Sequence, residues 1–413
     1  MPARRHVALL IETSHSYGRG LLRGVKSYMD QHASWSIFVE RHDLRWRVPQ
    51  WLNGWRGDGI LVRSETPAIA NTVRASGVPA VELRHAKSQH TLPYVGLDNH
   101  DAGRLVARYF IDRGLRELGC YTISCSDYYY FCKPRRDAFV QTAEAAGLSC
   151  RVFDQPARRE SPRDWQEQQQ ELAEWVEGLP KPVGVLACTD QLGFWLLDAC
   201  DDAGVAVPEK VSVVGVENDD VLCALTTPPL SSVHCNDEMV GYEAARLLEG
   251  LMSGESPPPN PILVPPLEVV TRRSSDAIAT GDRLVARAAE VIQERFRTGI
   301  SVDDVVRTAG TSRSALERRM RAALGRSPRA EILRVQLEHV KQQLADTELT
   351  LDRIAWGAGF KHPQYMCETF KKHFGMTPGQ YRAQSRTTRD GPGITGCNGG
   401  GGAYDRRWVA VLV

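Results

Sequence analysis

The 413-residue chain has no run of about 20 apolar residues, the length a membrane span needs, and its longest early apolar stretch, Val7 to Ile11, is too short for the core of a signal peptide. A cytoplasmic protein is expected. The ten cysteines include no Cys-x-x-Cys pair, and Cys120 and Cys125 have no histidines at metal-site spacing. Buried thiols are therefore the plain reading, with no zinc module, redox motif or metal cofactor indicated. Charge of one sign is lacking too: 51 Lys and Arg face 50 Asp and Glu, which excludes a uniformly basic coat protein. No P-loop, Ser/His/Asp order or paired-acid spacing supplies a catalytic centre. Gly18-Arg-Gly20, Gly24 and Glu40 imitate a dinucleotide-binding unit, but the third glycine is one residue late and the first lies seven residues past the strand. Helix amides so placed do not reach a pyrophosphate, so an enzyme is not expected and a nicotinamide-dependent one is the remote alternative.

What is present is an ordinary globular composition, 42% hydrophobic and 24% charged, on a chain long enough for two or three domains. Short apolar runs alternate with helix-length segments. His6 to Ile11, Trp35 to Glu40, Gly59 to Val62, Pro79 to Leu83 and Tyr94 to Leu97 read as strands, with a helix over Gly18 to His32. The rhythm resumes with helix Asp101 to Arg113, strand Gly119 to Ser124, helix Arg135 to Ala146, strand Gly184 to Ala187, helix Gln191 to Ala203, strand Val211 to Val216 and helix Glu238 to Met252. Two sets of parallel units imply two lobes, with a ligand held beyond the carboxyl ends of the strands.

After the proline cluster Pro257, Pro258, Pro259 and Pro261, and the segment Ile262 to Val270, the rhythm changes. A boundary falls near Arg272 to Asp282, whose Ser and Asp residues suit a linker, and from Arg283 the pattern is helical. Residues 283–389 hold 20 Lys and Arg against 11 Asp and Glu, a net of +9, while the remainder nets −8. Beyond Arg389, Gly391-Pro-Gly and Asn398 to Gly402 read as a disordered tail.

Within this basic region a single grammar occurs twice. Ser301 caps a short helix with Asp303 and Asp304 in its first turn, Gly310 stops it, and Ser312 caps a second helix whose Leu316, Met320 and Leu324 form one buried stripe. Its other face is left to Arg313, Ser314, Glu317, Arg318 and Arg321. Some fifty residues on, Thr350 to Phe360 is helix then glycine turn, and Pro363 opens a helix with the stripe Met366, Phe370 and Phe374. Gln364, Cys367, Glu368 and Lys371 face outward there. One continuous helix, Pro328 to Leu344, separates the two, so that both second helices could enter successive major-groove segments of DNA. A stripe alone is more often plain core. Duplication, the connecting helix and the +9 charge together point to double-stranded DNA as a partner.

Ala355-Trp-Gly-Ala-Gly-Phe360, Tyr365 to Gly375 and Thr377-Pro-Gly-Gln-Tyr-Arg382 resemble the signature of AraC/XylS-type regulators, a resemblance covering roughly 283–386. It implies that Ser314, Glu317 and Arg318, and Gln364, Cys367 and Glu368, approach base edges, although Glu368 stands where a basic residue is commoner. The N-terminal region resembles the ligand domain of LacI/GalR-type regulators, carried by Val95 to Gly103, Arg135 to Phe139, Ala187 to Gly193, Val207 to Asp219 and Pro265 to Ser275.

A LacI-type sensor joined to an AraC-type reader is similar to the arrangement of xylose-responsive regulators. The implied fold is a two-lobed α/β periplasmic-binding-protein-like (type I) sensor over 4–275, a linker over 276–282, an all-α tandem helix-turn-helix domain over 283–389 and the tail over 390–413. The implied partners are operator DNA, a sugar effector (D-xylose), a second copy in a homodimer and RNA polymerase, with activation on binding the sugar. Another sugar or a purine stays open as the effector. A neutral polyol needs carboxylates, amides, Arg forks and an aromatic ring at strand ends. By the resemblance Arg135 is the ligand-gripping arginine and Glu217 takes the place of the usual carboxylate. Asp190 and Asp98 follow strands, and Tyr17 and His15 follow the first strand. Each of these singly could instead cap a helix or line the lobe interface.

Overall fold

In a computed structural model describing residues 4–39, 48–84, 92–123, 129–156, 165–276 and 282–383, the first apolar run becomes β1 (Arg5–Leu10). Its last four residues are buried, as a strand flanked by helices on both faces requires. There follow α1 (Ser16–His32), β2 (Trp35–Val39), β3 (Gly59–Val62), α2 (Pro67–Ala75) and β4 (Ala80–Glu82), with a parallel sheet in the order β2-β1-β3-β4. Next, β5 (Val95–Leu97) leads through α3 (Asn99–Asp112) into the second lobe. This lobe contains β6 (Glu117–Ile123), α4 (Cys132–Ala145), β7 (Ser149–Gln155), α5 (Trp165–Gly178), β8 (Val183–Ala187), α6 (Asp190–Asp202), β9 (Val211–Val216), α7 (Asp220–Leu225) and β10 (Ser231–Val233).

The chain then returns to the first lobe as α8 (Asp237–Met252), which packs along α1. It crosses back through β11 (Ile262–Val264), paired with β5, and β12 (Val269–Val270), which closes the second sheet in the order β12-β10-β9-β8-β6-β7. The expected segment Ile262 to Val270 is thus two short strands in two different sheets. The α1–α8 contact explains two of the glycines that imitate a dinucleotide fingerprint, Gly20 and Gly24, while Gly18 makes room for the Glu12 carbonyl. A Cβ on Gly20 would lie 1.4 Å from Asp237 Oδ2, and one on Gly24 would lie 1.9 Å from the Glu238 carbonyl oxygen. These glycines let two helices touch.

The boundary lies later than the serines suggest. Ser274 and Ser275 are fully buried in the second lobe, where the Val213 N–H donates to the Ser274 carbonyl at 2.8 Å. At the other end Asp282 is the N-cap of α9 (Arg283–Arg295). Glu40, Cys125, 277–281 and 384–413, the Gly-rich tail included, lie outside the described residues.

The reader consists of α9, α10 (Val302–Ala309), α11 (Arg313–Leu324), α12 (Pro328–Asp346), α13 (Leu351–Gly357) and α14 (Pro363–Phe374). Ser301 and Asp304 form a capping box on α10, and Gly310 stops that helix at φ 64°, a conformation that suits a residue without Cβ. Two cores form on one shared rod. Ile332 and Val335 of α12 join Leu316, Met320 and Leu324, while Leu337, Val340 and Leu344 join Ile354, Met366 and Phe370. At 1.5 Å per residue α12 spans about 28 Å. Phe374, expected in the buried stripe, is only half-buried and meets Phe370 with the rings tilted at 50° and 4.6 Å between ring centres.

Candidate functional site

Strand ends of both lobes converge on a cleft lined by Tyr17, Arg63, Leu83, Arg84, Tyr94, Leu97, Asn99, Phe131, Arg135 and Glu217. Arg135 enters from the first turn of α4. Its helix can approach because Gly103 of α3 has no side chain: a Cβ there would lie 2.1 Å from the Arg135 carbonyl oxygen. The guanidinium is fixed by Nε–H to Asn99 Oδ1 at 2.8 Å, by Nη1–H to the Cys188 carbonyl at 2.6 Å and by the Phe131 ring, 4.8 Å below. Burial works against its charge, yet its proton is held more tightly than in an ordinary arginine, with the Glu217 carboxylate among the groups that favour the charge.

Glu217, just past β9, has φ 122°, and Asn218 has φ 52°. A non-glycine residue persists in such a conformation only where its surroundings over-determine it. Here the Glu217 N–H donates to the Val233 carbonyl at 3.1 Å, the Asn218 N–H to Ser232 Oγ at 2.9 Å, and Arg272 Nη2–H to Asn218 Oδ1 at 2.8 Å. From the first lobe come Tyr17, whose phenol is held protonated by burial, and Arg63, which pairs with buried Glu12 and lies 5.2 Å from the centre of the Tyr17 ring. Glu82 accepts the backbone N–H groups of Ser64, Leu83 and Arg84, which orders the wall from which Arg84 projects.

Three of the six expected ligand residues, Tyr17, Arg135 and Glu217, thus line one cleft, and three do not. His15 is exposed at the N-cap of α1. Asp98 caps α3, accepting the Asp101 N–H at 2.9 Å. Asp190 lies fully buried behind the wall, accepting the Asp219 N–H at 2.7 Å and the Ser232 hydroxyl at 2.5 Å, and burial followed by the Glu217 charge pushes its carboxyl up to about 7. Arg63, Arg84, Asn99, Tyr94 and Phe131 were missed. The strand-end rule pointed to three of them, since Arg63 directly follows β3, and Arg84 and Asn99 lie two residues past β4 and β5.

On the reader, Arg313, Ser314, Arg318 and Arg321 are exposed along α11. Glu317 is half-buried and bridges Arg313 (3.5 Å) and Arg321 (3.8 Å), so it spaces the arginines instead of standing free. On α14, Gln364, Glu368 and Lys371 are exposed, whereas Cys367 packs against the second core, a correction to its outward assignment that follows from its neighbour Met366 being buried. Tyr365 and, on α13, Trp356 are large exposed rings that the sequence reading passed over. Among the described residues no group of three or more His, Cys, Asp or Glu is arranged to hold a metal, and no helix is long and apolar enough to cross a membrane.

A two-lobed ligand-binding fold joined to two helix-turn-helix units defines a ligand-responsive, DNA-binding transcription regulator. Residues 6–100 match the XylR N-terminal domain, 107–275 the periplasmic binding protein-like domain and 305–384 a helix-turn-helix domain. The chain is 31% identical to the xylose operon regulatory protein of Escherichia coli K12 over 92% of this chain and 97% of that one, and 29% identical to its Haemophilus influenzae counterpart over 91% and 97%. The chain belongs to the family of xylose operon regulatory proteins. The solved structure of a xylose-binding transcription activator, xylR, covers 93% of this chain and 99% of its own with a TM-score of 0.62 and 29% identity. A CelR–cellobiose complex, at 23% identity and a TM-score of 0.53 over 67% of this chain and 86% of its own, shares the sensor fold alone. The relatives regulate transcription, and the chain is a regulator, not an enzyme.

Proposed function

We propose that the chain is a cytoplasmic, homodimeric activator of xylose catabolic genes that binds D-xylose in the inter-lobe cleft and thereby changes its hold on operator DNA and its contact with RNA polymerase. The observation that carries the sugar assignment is the pairing, in one cleft, of Arg135 fixed by Asn99 with Glu217 held in a strained backbone, beside the rings of Tyr17, Tyr94 and Phe131. A fixed donor fork, a fixed acceptor and apolar faces are what a polyol's hydroxyls and ring C–H groups require. The relatives whose names carry xylose supply the choice of sugar.

Base edges are read by Ser314 and Arg318 of the first unit and Gln364 and Glu368 of the second, while Arg313, Arg321 and Lys371 hold phosphates and Glu317 spaces the arginines. Calorimetric titration with xylose, arabinose, ribose, glucose and a purine tests the assignment. Xylose should bind most tightly. A purine preference would recast the three rings as a stacking site, and equal affinity for all five would remove the cleft as a selective site.

A further inference from the structure

The sensor and reader also meet along a surface that neither the cleft nor the DNA face uses. Residues 265–268 form one of the passages between the lobes, leaving β11, paired with β5, and entering β12, paired with β10. The Leu267 N–H donates to the His234 carbonyl at 3.0 Å and the His234 N–H to the Glu268 carbonyl at 2.9 Å, so this passage is laced to the preceding one, just after β10. Glu268 therefore sits where a change in the angle between the lobes is felt. Its carboxylate is turned toward the reader: it pairs with Lys341 of α12 and accepts the Tyr381 hydroxyl at 3.0 Å. Lys341 lies in the later half of the shared rod, beside the second unit's core, and Tyr381 follows α14. Lys341 Nζ lies 5.2 Å from the centre of the Phe374 ring with only 12% of its side chain exposed, and the Tyr381 ring lies 5.7 Å from that of Phe370.

The first unit is moored at a different point. Arg326, between α11 and α12, donates to the Asp112 carbonyl at the end of α3 at 3.1 Å and pairs with buried Glu331, which Arg334 also holds. The rod α12 is thus tied to the second lobe near its start and to the hinge in its later half. A hinge that moves relative to Asp112 tilts the rod, and coupling needs just such an element that both sites bias.

We infer that Glu268, through Lys341 and Tyr381, is the positioning residue that carries occupancy of the cleft to the second helix-turn-helix unit. This link rests on the proposed xylose response. Without the Glu268 charge, Lys341 keeps only the longer pair with Glu338 of its own helix, at 3.9 Å, which does not reach the hinge, so the link breaks when Glu268 loses its charge.

The test uses the full chain as native protein, Glu268→Gln and Tyr381→Phe, the last removing a single hydroxyl. Three quantities are read: xylose affinity by calorimetry, affinity for a duplex selected from a random pool with and without xylose, and hydrogen exchange over 336–344. In the variants xylose affinity should stay within about twofold of native. The effect of xylose on DNA affinity should drop from the roughly 5- to 150-fold usual for coupled sites to below about threefold, and exchange over 336–344 should quicken. A native chain that responds to xylose together with variants that respond equally overturns the link alone. Unchanged exchange in both variants overturns it whatever the effector. A native chain whose DNA affinity ignores xylose overturns the response and this role with it.

Discussion

The two helix-turn-helix units follow the same grammar and end with different equipment. The first presents Arg313, Arg318 and Arg321 on α11, with Glu317 between two of them, and closes over Leu316 and Met320. The second presents Gln364, Glu368 and Lys371 on α14, half-buries Cys367, and is the one joined to the sensor hinge through Lys341 and Tyr381. The contrast teaches a division of labour. On the proposed reading, cationic density for phosphates and a guanidinium fork for guanine are concentrated in the first unit, which is tied to the second lobe at Asp112, while the second is tied to the hinge.

The largest break in that contrast is expected from the cores. Phe370→Ala should cost about 3 to 5 kcal/mol and Met320→Ala about 2 to 5 kcal/mol. Because the cores are separate, hydrogen exchange should quicken mainly in the unit that carries the change; equal quickening in both units would merge them into one. In the sensor, Arg135→Ala and Glu217→Ala should each weaken xylose binding by about 1.5 to 3 kcal/mol, roughly ten- to a hundredfold by titration, while sugar-free DNA affinity stays near native. Unchanged xylose affinity in both would move the sugar elsewhere.

Arg318→Ala should lose about 1 to 3 kcal/mol on a selected duplex and little on random DNA, whereas Lys371→Ala should weaken both alike and flatten the salt dependence. Footprinting on the two duplexes separates these outcomes. Equal losses by Arg318→Ala on specific and random DNA would reduce it to a phosphate contact.

A further effect concerns pH. The Asp190 carboxyl, at about 7 in the fold, lies above its ordinary value of 3.8. Its contribution to stability is therefore complete below about pH 4 and lost as pH rises through about 7. Asp190→Asn should flatten the melting temperature across that window, and an unchanged slope would assign it to other groups, such as Asp237 at about 6.

Much of the architecture was legible because burial on both faces leaves unbroken apolar runs: the bounds of Gly59–Val62 and Val211–Val216 agree between sequence and structure. Strands without that signature escaped notice. In β7 most positions are exposed or half-exposed, and β10 begins Ser231-Ser232, buried through hydrogen bonds instead of apolar side chains. The reader was clear because caps, glycine stops and four-residue stripes are local signals. The cleft was less so. Its residues come from segments that only the two-lobe topology brings together, and Asp98 and Asp190 stand at strand ends as a ligand carboxylate would, yet the first caps a helix and the second ties β10 to the turn before α7. Composition alone suited the serines of Arg272 to Ser275 to a linker, where the resemblance put them in the sensor, because composition does not reveal that their hydroxyls and backbone are bonded into a sheet.

The most direct test of the central claim, that occupancy of the cleft controls the DNA face, is the affinity of the native chain for its selected duplex measured with and without saturating xylose, alongside Arg135→Ala. The account predicts tighter binding with xylose in the native chain, by about 5-fold or more, and no change in Arg135→Ala. Equal affinity with and without the sugar in a native chain that binds xylose would contradict it.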